Sequence, residues 1–423
     1  MKRKALALPF ILAFLLCLAA GTQFITPVNA NPSPLPQKPP QIYIRSNGSI
    51  EPSSACIQQV GDTYTLTNDT ENSLIVQRDN IIIEGNGFGI TQIPVNTSEL
   101  TIPAGWYPGI QLTDRTNVTI KNVKIHNCIS GVSIENSTNI TLTNNSIANI
   151  KKIVVFSGSS SNCTFSKNDL RSGDQGILLI DSKHIDILEN SITSNDIGIS
   201  CYSSTFPPKN DANGVSGCAY INIFGNHIAA NFESGISLRA YYIRIGYNTL
   251  ANNNQGIRFA GDSYYTLIYQ NNFMDNSEHV KINILASGND ETWLWDSGSS
   301  GNYWSDYLTK YPNATQLDHT GVGDTPYMID AFNVDNYPLM KEVSIKPPYT
   351  ILAFPSPTPS TNPTPSPTIT PTPNSSPSPT EQHIKTIEPP PNLSSSTIIV
   401  VGCGVFAAVV GVVVLVYFKS RER

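Results

Sequence analysis

The sequence predicts an all-β fold, a parallel β-helix of roughly eight to ten coils, and a repeated phrase is the main evidence for it. The phrase has the form apolar-x-apolar-x-x-Asn-x-apolar, and its eight copies begin at Ile81, Val118, Ile140, Cys163, Ile185, Ile221, Ile243 and Thr266. From the second copy onward the starts are 22, 23, 22, 36, 22 and 23 residues apart, so the long step is one period with an inserted loop. A nearly constant period of this length is typical of solenoids.

The composition of each copy favours strands over helices. Apolar residues alternate within the phrase, as Ile140 and Leu142 do, which is the spacing of a strand with one buried face. A second short strand led by glycine recurs and begins at Gly109, Gly131, Gly176, Gly198, Gly235 and Gly256. About 22 residues hold three short strands and three turns, and such coils stack at roughly 4.8 Å. Leucine-rich repeats have a similar period, but the Leu framework and the helical half are missing here.

The sixth position of the phrase predicts an internal ladder of stacked asparagines. It is Asn in seven of the eight copies, with Val123 as the exception. Asn tolerates left-handed backbone geometry, and stacked amides can hydrogen-bond from coil to coil. The predicted ladder consists of Asn86, Asn145, Asn168, Asn190, Asn226, Asn248 and Asn271.

The ends of the chain predict an exported protein anchored in a membrane. Residues 1–30 have a basic start, an apolar run and a small-residue cleavage pattern, so we interpret them as a signal peptide. Residues 31–41 form a Pro-rich linker, and residues 347–396 form an extended Pro/Ser/Thr stalk. Residues 397–418 are apolar and long enough to cross a bilayer, and the basic tail 419–423 follows. The expected location is therefore the cell membrane, with a single pass, an extracellular ectodomain and a cytoplasmic C-terminus.

The amino-acid composition limits the kinds of binding partner and modification that we expect. Charged residues make up 14% of the chain, the net charge is −6, and no basic patch is visible, so we expect no nucleic-acid partner. Sequons for N-glycosylation predict a glycoprotein, although several lie in the repeat, where Asn and Thr also suit the turns. The sequons begin at Asn47, Asn68, Asn96, Asn117, Asn136, Asn139, Asn144, Asn162, Asn313, Asn374 and Asn392.

The repeat resembles the right-handed parallel β-helix repeat proteins of archaeal surfaces, which share a domain with the NosD periplasmic copper-binding family. The resemblance covers about residues 41–342, with the helix over 42–300 and an aromatic, Gly-rich C-terminal cap over 301–346. Its most specific part is the exit segment that begins GNYWSDYLTKYPNATQLD. In relatives this segment often carries an acidic loop suited to Ca²⁺, and here only Asp318, Gly321, Gly323 and Asp324 remain. Two carboxylates are few for Ca²⁺, so no cofactor is predicted, and a Ca²⁺ site at Asp318 and Asp324 is kept as an alternative.

Ligand binding is expected on the outward columns of the helix and not on its repeat positions. In the Gly-led strand, the outward side chains with chemical reach are Glu135, Tyr202, Arg239 and Arg258. Insertions at Thr91–Pro108 and Ser203–Gly217 interrupt the same side of the coil, and the first brings Trp106. Aromatic rings beside polar columns suit sugar faces, which favours binding of polysaccharide or a surface-layer glycoprotein. The alternative is that these residues are solvated surface in a structural envelope component.

Two further functions stay open. A polysaccharide lyase or glycoside hydrolase needs clustered acids, and Asp174, Asp181, Asp186 and Asp196 lie on adjacent coils but in different columns and turns. The resemblance to NosD implies an accessory role in copper-site maturation, which needs soft ligands in a cluster. The histidines and methionines are instead scattered through the sequence, at His126, His184, His227, His279, His319, Met274, Met328 and Met340.

Cys201 and Cys218 flank the second insertion. A disulfide between them would close that loop in an oxidising exterior. Against this, Cys201 falls on an inward column otherwise filled by apolar residues, which favours buried free thiols.

Overall fold

The computed structural model describes residues 40–92, 107–204, 210–211, 214–261, 263–283, 293–317, 319–349 and 351–352, without the side chains of residues 210, 211, 214 and 215. The chain divides into two units, Met1–Ser356 and Pro357–Arg423, and the second lies outside the described residues. The predicted signal peptide and membrane segment also lie outside them, as do residues 353–396 of the predicted stalk, Trp106 and Asp318, whereas residues 347–349 and 351–352 of that stalk are described. No helix in the described part is long and apolar enough to span a membrane.

Three long sheets build the fold, and their strands are numbered β1 to β35 in chain order. Sheet A contains, in spatial order, β2 (Ile50–Glu51), β1 (Gln41–Ile44), β5 (Ser73–Val76), β8 (Pro108–Thr113), β11 (Ser130–Glu135), β14 (Ile153–Gly158), β17 (Gln175–Ile180), β20 (Ile197–Tyr202), β25 (Ser234–Arg239), β28 (Gln255–Phe259) and β31 (Glu278–Ile282).

Sheet B follows sheet A within each coil. It contains β3 (Ile57–Val60), β4 (Thr63–Leu66), β6 (Ile81–Glu84), β9 (Thr116–Lys121), β12 (Thr138–Thr143), β15 (Ser161–Ser166), β18 (Lys183–Leu188), β23 (Ala219–Phe224), β26 (Tyr241–Gly246), β29 (Tyr264–Tyr269) and β32 (Trp293–Leu294).

Sheet C closes each coil. It contains β7 (Gly89–Thr91), β10 (Lys124–His126), β13 (Ser146–Ala148), β16 (Asp169–Arg171), β19 (Ser191–Thr193), β24 (His227–Ala229), β27 (Thr249–Ala251), β30 (Asn272–Met274) and β33 (Tyr303–Trp304). Outside the three sheets, the described residues form two small hairpins and one short helix, namely β21 (Asn210–Asp211) with β22 (Gly214–Val215), β34 (Tyr327–Met328) with β35 (Val334–Asp335), and α1 (Tyr307–Lys310).

This arrangement confirms the predicted parallel β-helix. Within each sheet, strands of successive coils pair in parallel, as β12 does with β9 and β15, and the nine strands of sheet C correspond to about nine coils. The apolar positions of the phrase form the core: Ile140, Leu142 and Ile147 are all buried. Alternation along each strand therefore places one face inside and one outside, as the sequence pattern requires.

The corners between the sheets are lined by polar columns. Corner 1 joins sheet A to sheet B, corner 2 joins B to C, and corner 3 joins C to the sheet A strand of the next coil. At corner 1 serines link neighbouring coils: the amide of Ser137 donates to Ser160 Oγ at 3.1 Å. Positive φ angles concentrate at the corners, and Asn is the commonest non-glycine residue with this geometry, because its short amide tolerates it.

At corner 2, buried amides run in one continuous series, which we call the first Asn ladder. Each Nδ2 group donates to the Oδ1 atom of the Asn one coil on, at 2.9 to 3.0 Å. The members are Asn145, Asn168, Asn190, Asn226, Asn248, Asn271 and Asn302. Asn302, from the exit segment, was not among the predicted residues.

Asn86 departs from the prediction, because it is exposed and lies outside the first Asn ladder. The turn from Glu84 to Gly89 has two residues more than the turn from Lys121 to Lys124 in the next coil, although the flanking strands stay in register. The backbone N–H of Lys124 accordingly bonds to the carbonyl of Phe88 at 3.3 Å. The amide of Asn86 therefore sits in a surface insertion, although its position in the sequence phrase is the same.

Aromatic residues close the C-terminal end of the helix. The ring of Trp304 stacks on Phe273 on one side and on Tyr327 on the other, with centroids 4.3 Å apart in both pairs. After this cap, residues 341–349 and 351–352 run along the outside of the helix. There Asn272 bonds to the backbone of Val343, and Arg244 donates to the carbonyl of Leu352 at 2.7 Å.

Candidate functional site

A second Asn ladder, which the sequence analysis did not identify, lies at corner 3. Asn195, Asn231, Asn253 and Asn276 are buried or nearly so, and each Nδ2 group donates to the next Oδ1 atom at 2.9 to 3.2 Å. A sequence signal for it exists, since each member follows a member of the first Asn ladder by five residues. The Nδ2 group of Asn276, the last member, contacts His279 Nδ1 at 3.3 Å.

His279 connects the second Asn ladder to a carboxylate of the cap. An amide nitrogen can only donate, so His279 Nδ1 accepts from Asn276 and carries no proton. The proton of the neutral ring is then on Nε2, which lies 3.3 Å from Asp306 Oδ1. Tyr327 donates its hydroxyl to the same carboxylate at 3.0 Å. The hydrogen bonds therefore run in one direction, from the second Asn ladder to Asp306.

The surroundings of Asp306 favour its ionised form. Burial raises its pKa, but hydrogen bonds from His279 and from the Tyr327 hydroxyl, together with the charge of Lys310, hold the pKa below the usual range. Burial and the adjacent carboxylate raise the pKa of Tyr327, so this phenol stays protonated and donates. Asp306 is consequently an anion whose side chain remains 46% exposed in an open cleft.

Two adjoining cavities form a groove along corner 3. The first, of about 470 Å³, lies between the last coil and the cap and is lined by Asp275, Asn276, Ser277, Glu278, His279, Val280, Trp304, Ser305, Asp306, Tyr327 and Ile329. The second, of about 830 Å³, is lined by Asp196, Ala230, Asn231, Phe232, Glu233, Asn252, Asn253, Asn254, Asp275 and Ser277. Both share Asp275 and Ser277, so they adjoin, and together we call them the corner groove. From Asp196 to Asp306 it spans four coil steps, or about 19 Å.

Phe232 projects into the second cavity because its turn contains one extra residue. Two residues separate Asn231 from Ser234, whereas one residue separates the equivalent Asn253 from Gln255. The ring of Phe232 is 82% exposed. An aromatic ring presented to solvent inside a polar groove offers a face on which a ligand can stack.

The corner groove is acidic. Its lining includes five carboxylates and no lysine or arginine. Three carboxylates have a cationic or histidine partner, since Glu233 pairs with Arg258, Glu278 with Lys281 at 3.3 Å and Asp306 with His279. Asp196 and Asp275 form no ion pair within the described residues.

The predicted ligand residues are only partly brought together. Arg239 lies over Tyr202, with its guanidinium carbon 4.9 Å from the ring centroid, and donates to the Tyr202 hydroxyl at 2.8 Å. Arg258 is held by Glu233 at the edge of the corner groove. Glu135 lies three coils from Tyr202, about 14 Å away, and accepts from Ser133 at 3.0 Å.

The two insertions join opposite ends of sheet A strands. The first precedes β8 and the second follows β20. They therefore do not interrupt one side of the coil, as the sequence analysis expected. Trp106, the aromatic residue predicted from the first insertion, lies outside the described residues.

The predicted acidic cluster separates into three environments. Asp174 and Asp196 occupy the same column on adjacent coils at corner 3, contrary to the expectation that they fall in different columns, and Asp174 pairs with Lys152 at 2.9 Å. Asp181 bonds to Ser204 at corner 1. Asp186 lies on sheet B and accepts from Asn222 at 2.8 Å. Of the four, Asp196 alone lines the corner groove.

No group of three or more His, Cys, Asp or Glu side chains within the described part of the chain could hold a metal ion. Asp324, predicted as a Ca²⁺ ligand with Asp318, accepts hydrogen bonds on both oxygens from Thr315 and on one from Thr325. These bonds, with the Thr315 hydroxyl foremost, lower the pKa of Asp324. Its carboxylate therefore closes a turn of the cap.

The soft ligands that copper needs are far from forming a site. His126 bonds to Thr91 at 2.7 Å on sheet C, His184 stacks on Tyr220 at corner 1, and His279 uses both ring nitrogens within the corner groove. These histidines occupy different sheets and corners, so the described residues do not fit a copper centre with several soft ligands.

Cys201 and Cys218 are both buried free thiols. Burial, followed by the neighbouring thiol of Cys201, raises the pKa of Cys218. The Cys218 thiol therefore remains protonated, and both side chains belong to the core.

A stacked aromatic column at corner 1 was also missed from the sequence. The rings of His184, Tyr220, Tyr242 and Tyr265 lie 4.7 to 4.9 Å apart and within 10° of parallel. All four have φ between 54° and 60°, and Asn117, Asn139 and Asn162 hold the equivalent position in earlier coils. Each ring stacks on its neighbours in the column, so the column stabilises the corner and leaves few ring faces free for a ligand.

Comparison with solved structures finds proteins with low sequence identity and low TM-scores to this chain. The periplasmic alginate epimerase AlgG is 12% identical, with 56% of this chain and 70% of that chain covered and a TM-score of 0.37. The A-module of the Azotobacter vinelandii mannuronan C-5 epimerase AlgE6 is 15% identical, with 57% and 75% covered and a TM-score of 0.40. A mutant tailspike protein of E. coli bacteriophage HK620, solved with a pentasaccharide, is 10% identical, with 57% and 45% covered and a TM-score of 0.41. Similarity at this level carries no information about activity.

Comparison with protein-family models assigns the chain to a family. No curated protein sequence matches the chain significantly. The family model described as "Periplasmic copper-binding protein (NosD)" matches residues 43–211 and 208–309, which is more than half of the chain and includes most of the β-helix. The chain therefore belongs to the NosD family.

Proposed function

We propose that this protein binds a polysaccharide, or the glycan of a surface glycoprotein, in the corner groove. The observation that carries the proposal is Phe232, an 82% exposed ring set among carboxylates and amides in a cavity of about 830 Å³. Sugar rings have an apolar face and a polar rim. A site that combines a free aromatic face with hydrogen-bonding side chains suits both.

The polar rim of the corner groove is supplied by side chains that face solvent. Asn252 and Asn254 are exposed on the coil after Phe232, and Asp275 is exposed one coil further. Each amide provides both donors and acceptors, and each carboxylate accepts from sugar hydroxyls. Because equivalent corners repeat at about 4.8 Å, a linear chain of sugars can follow the groove from coil to coil.

The expected setting is the cell surface. The predicted signal peptide, Pro/Ser/Thr stalk and membrane segment support export and anchoring through their sequence alone. In this proposal, the helix is a stalked binding domain held outside a single-pass anchor. A purely structural role in the envelope is the alternative that a binding experiment tests.

Glycan-array screening of the full-length chain in detergent tests the proposal. We expect binding to at least one glycan class and a loss of about tenfold in affinity for Phe232→Ala. Phe332→Ala is the matched control, since Phe332 is 94% exposed in the cap and lines neither cavity. Binding that is equally weakened by both variants, or the absence of any glycan bound, would contradict the proposal.

The chemistry of the described residues gives less support to the other two functions. For cleavage, a general base is needed, and His279 is the one described histidine that lines the corner groove. Asn276 and Asp306 occupy its two ring nitrogens, so neither nitrogen is free to take a proton from a substrate. For copper, which the family description names, the histidines of the described chain do not converge. Neither proposal is therefore preferred to glycan binding.

A further inference from the structure

We infer that the corner groove selects a polysaccharide that carries free amines over one that carries carboxylates. This inference rests on the proposed glycan binding and specifies its substrate class. Its basis is the charge of the lining, which combines five carboxylates with no lysine or arginine. A polyuronate would bring negative charge against this lining, whereas an amine-bearing chain brings the opposite charge.

Two carboxylates in the corner groove are available to a cationic ligand. Asp196 and Asp275 are exposed, and no described lysine, arginine or histidine forms an ion pair with either. They stand three coils apart, about 14 Å, at opposite ends of the second cavity. A linear polymer with an amine on each sugar places a cation near both without needing exact register.

Phe232 indicates a sugar more than a simple cation. The Phe232 ring lies between the two carboxylates along the corner groove and offers a stacking face.

The nearby positive charges do not reverse this preference. Arg258 is neutralised by Glu233, and Lys281 by Glu278. Their ion pairs leave no described cation inside the corner groove to hold a carboxylate group of a ligand. Attraction between exposed charges is weak and screened by salt, so the selectivity must fall as ionic strength rises.

The test compares three oligosaccharides of equal length by fluorescence polarisation: glucosamine oligomers, their N-acetylated counterparts and uronate oligomers. The full-length chain should bind the glucosamine oligomer most tightly, with an affinity that falls with added salt. Asp196→Asn combined with Asp275→Asn should weaken this binding about fivefold and leave the N-acetylated oligomer unchanged. Glu71→Gln combined with Glu342→Gln is the control, because it removes two exposed carboxylates outside the groove.

Each of the other outcomes contradicts a specific part of the inference or of the proposed function. Equal binding of the glucosamine and N-acetylated oligomers, insensitive to Asp196 and Asp275, removes the amine preference and leaves glycan binding intact. Tightest binding of the uronate oligomer reverses the inference. Binding of oligolysine as tight as that of the glucosamine oligomer shows recognition of charge without sugar and also overturns it. If no oligosaccharide binds and none is found on the glycan array, the proposed function itself fails.

Discussion

The two Asn ladders have the same local chemistry and end in opposite environments. The first Asn ladder ends when Asn302 donates from its backbone N–H to Asp335 Oδ2 at 2.7 Å, and Asp335 is completely buried. The second ends through His279 at Asp306, whose side chain is 46% exposed. Identical stacked amides thus finish once inside the core and once in an open groove.

This difference shows how a regular scaffold acquires a site. At Asp335 the carboxylate also accepts from Trp304 Nε1 at 3.0 Å and from the N–H of Tyr337, so all its bonds hold the cap to the helix. At Asp306 the protein supplies His279 and Tyr327 but leaves part of the carboxylate in the corner groove. We therefore expect changes along the first Asn ladder to affect stability, and changes near the end of the second to affect binding.

The largest expected effect is from Asn248→Ala in the middle of the first Asn ladder. It leaves the backbone N–H and the Nδ2 group of Asn226 without their acceptor, and it removes a donor to the Ile223 carbonyl. Buried unpaired groups each cost about 1–3 kcal/mol, so the free energy of unfolding should fall by about 3 kcal/mol or more. Urea denaturation measures it, and the exposed Asn313→Ala is the control, with a change of about 0.5 kcal/mol or less.

An intermediate effect with a characteristic pH dependence is expected at Asp335. Burial raises the pKa of this carboxyl to about 7, despite hydrogen bonds from Asn302, Trp304 and Tyr337. In the unfolded chain it titrates near pH ~3.9, so between these values the folded protein holds a proton that the unfolded chain has lost. Its contribution to stability is therefore complete below about pH 4 and is lost as the pH rises through about 7.

Melting temperatures of the wild type and Asp335→Asn between pH 4 and 8 test this linkage. The variant should be less stable at pH 5 by about 1–2 kcal/mol, because its amide places a donor against the Tyr337 N–H. Its stability should also vary less than that of the wild type over this range. An unchanged pH profile in the variant would show that Asp335 does not titrate there.

A smaller effect is expected from His279→Leu at the end of the second Asn ladder. The change removes an acceptor from Asn276 and the hydrogen bond to Asp306, but water in the cleft can solvate Asp306. The expected loss is about 1 kcal/mol, measured by urea denaturation. His227→Leu, at an exposed position of sheet C, should change stability by about 0.5 kcal/mol or less. A loss at His279 as large as that at Asn248 would remove the contrast between the two ladders.

The smallest effect on stability is expected from Phe232→Ala. The ring is 82% exposed and fills no part of the core, so unfolding should change by about 0.5 kcal/mol or less while glycan affinity falls. Denaturation and binding must be measured on the same preparation. A loss of stability above about 1 kcal/mol would identify Phe232 as a structural residue.

Much of the scaffold was predictable because it repeats. Alternating apolar residues specify strand faces locally, and a constant period forces those faces to stack, so the parallel β-helix followed without a structure. The column predicted from the phrase includes six of the amides in the first Asn ladder. Asn86 was misplaced because a two-residue insertion shifts the turn without changing the phrase.

The site was harder to predict because it depends on departures from the repeat. Phe232 reaches solvent because of one additional residue in its turn, and His279 matters because the cap brings Asp306 against it. Arg258 was chosen as an outward ligand residue, and it lies outward, but it is committed to Glu233. Neither the pairing of His279 with Asp306 nor that of Arg258 with Glu233 follows from the position of one strand alone.

By itself, the sequence determined the fold, the family resemblance and most of one ladder, because these depend on residue type and spacing along the chain. Only the tertiary structure decided where each ladder ends and which side chains share a groove. The physical reason is that burial and hydrogen-bond partners are set by contacts between coils and cap. Those contacts leave Asp335 sealed in the core and Asp306 open to solvent.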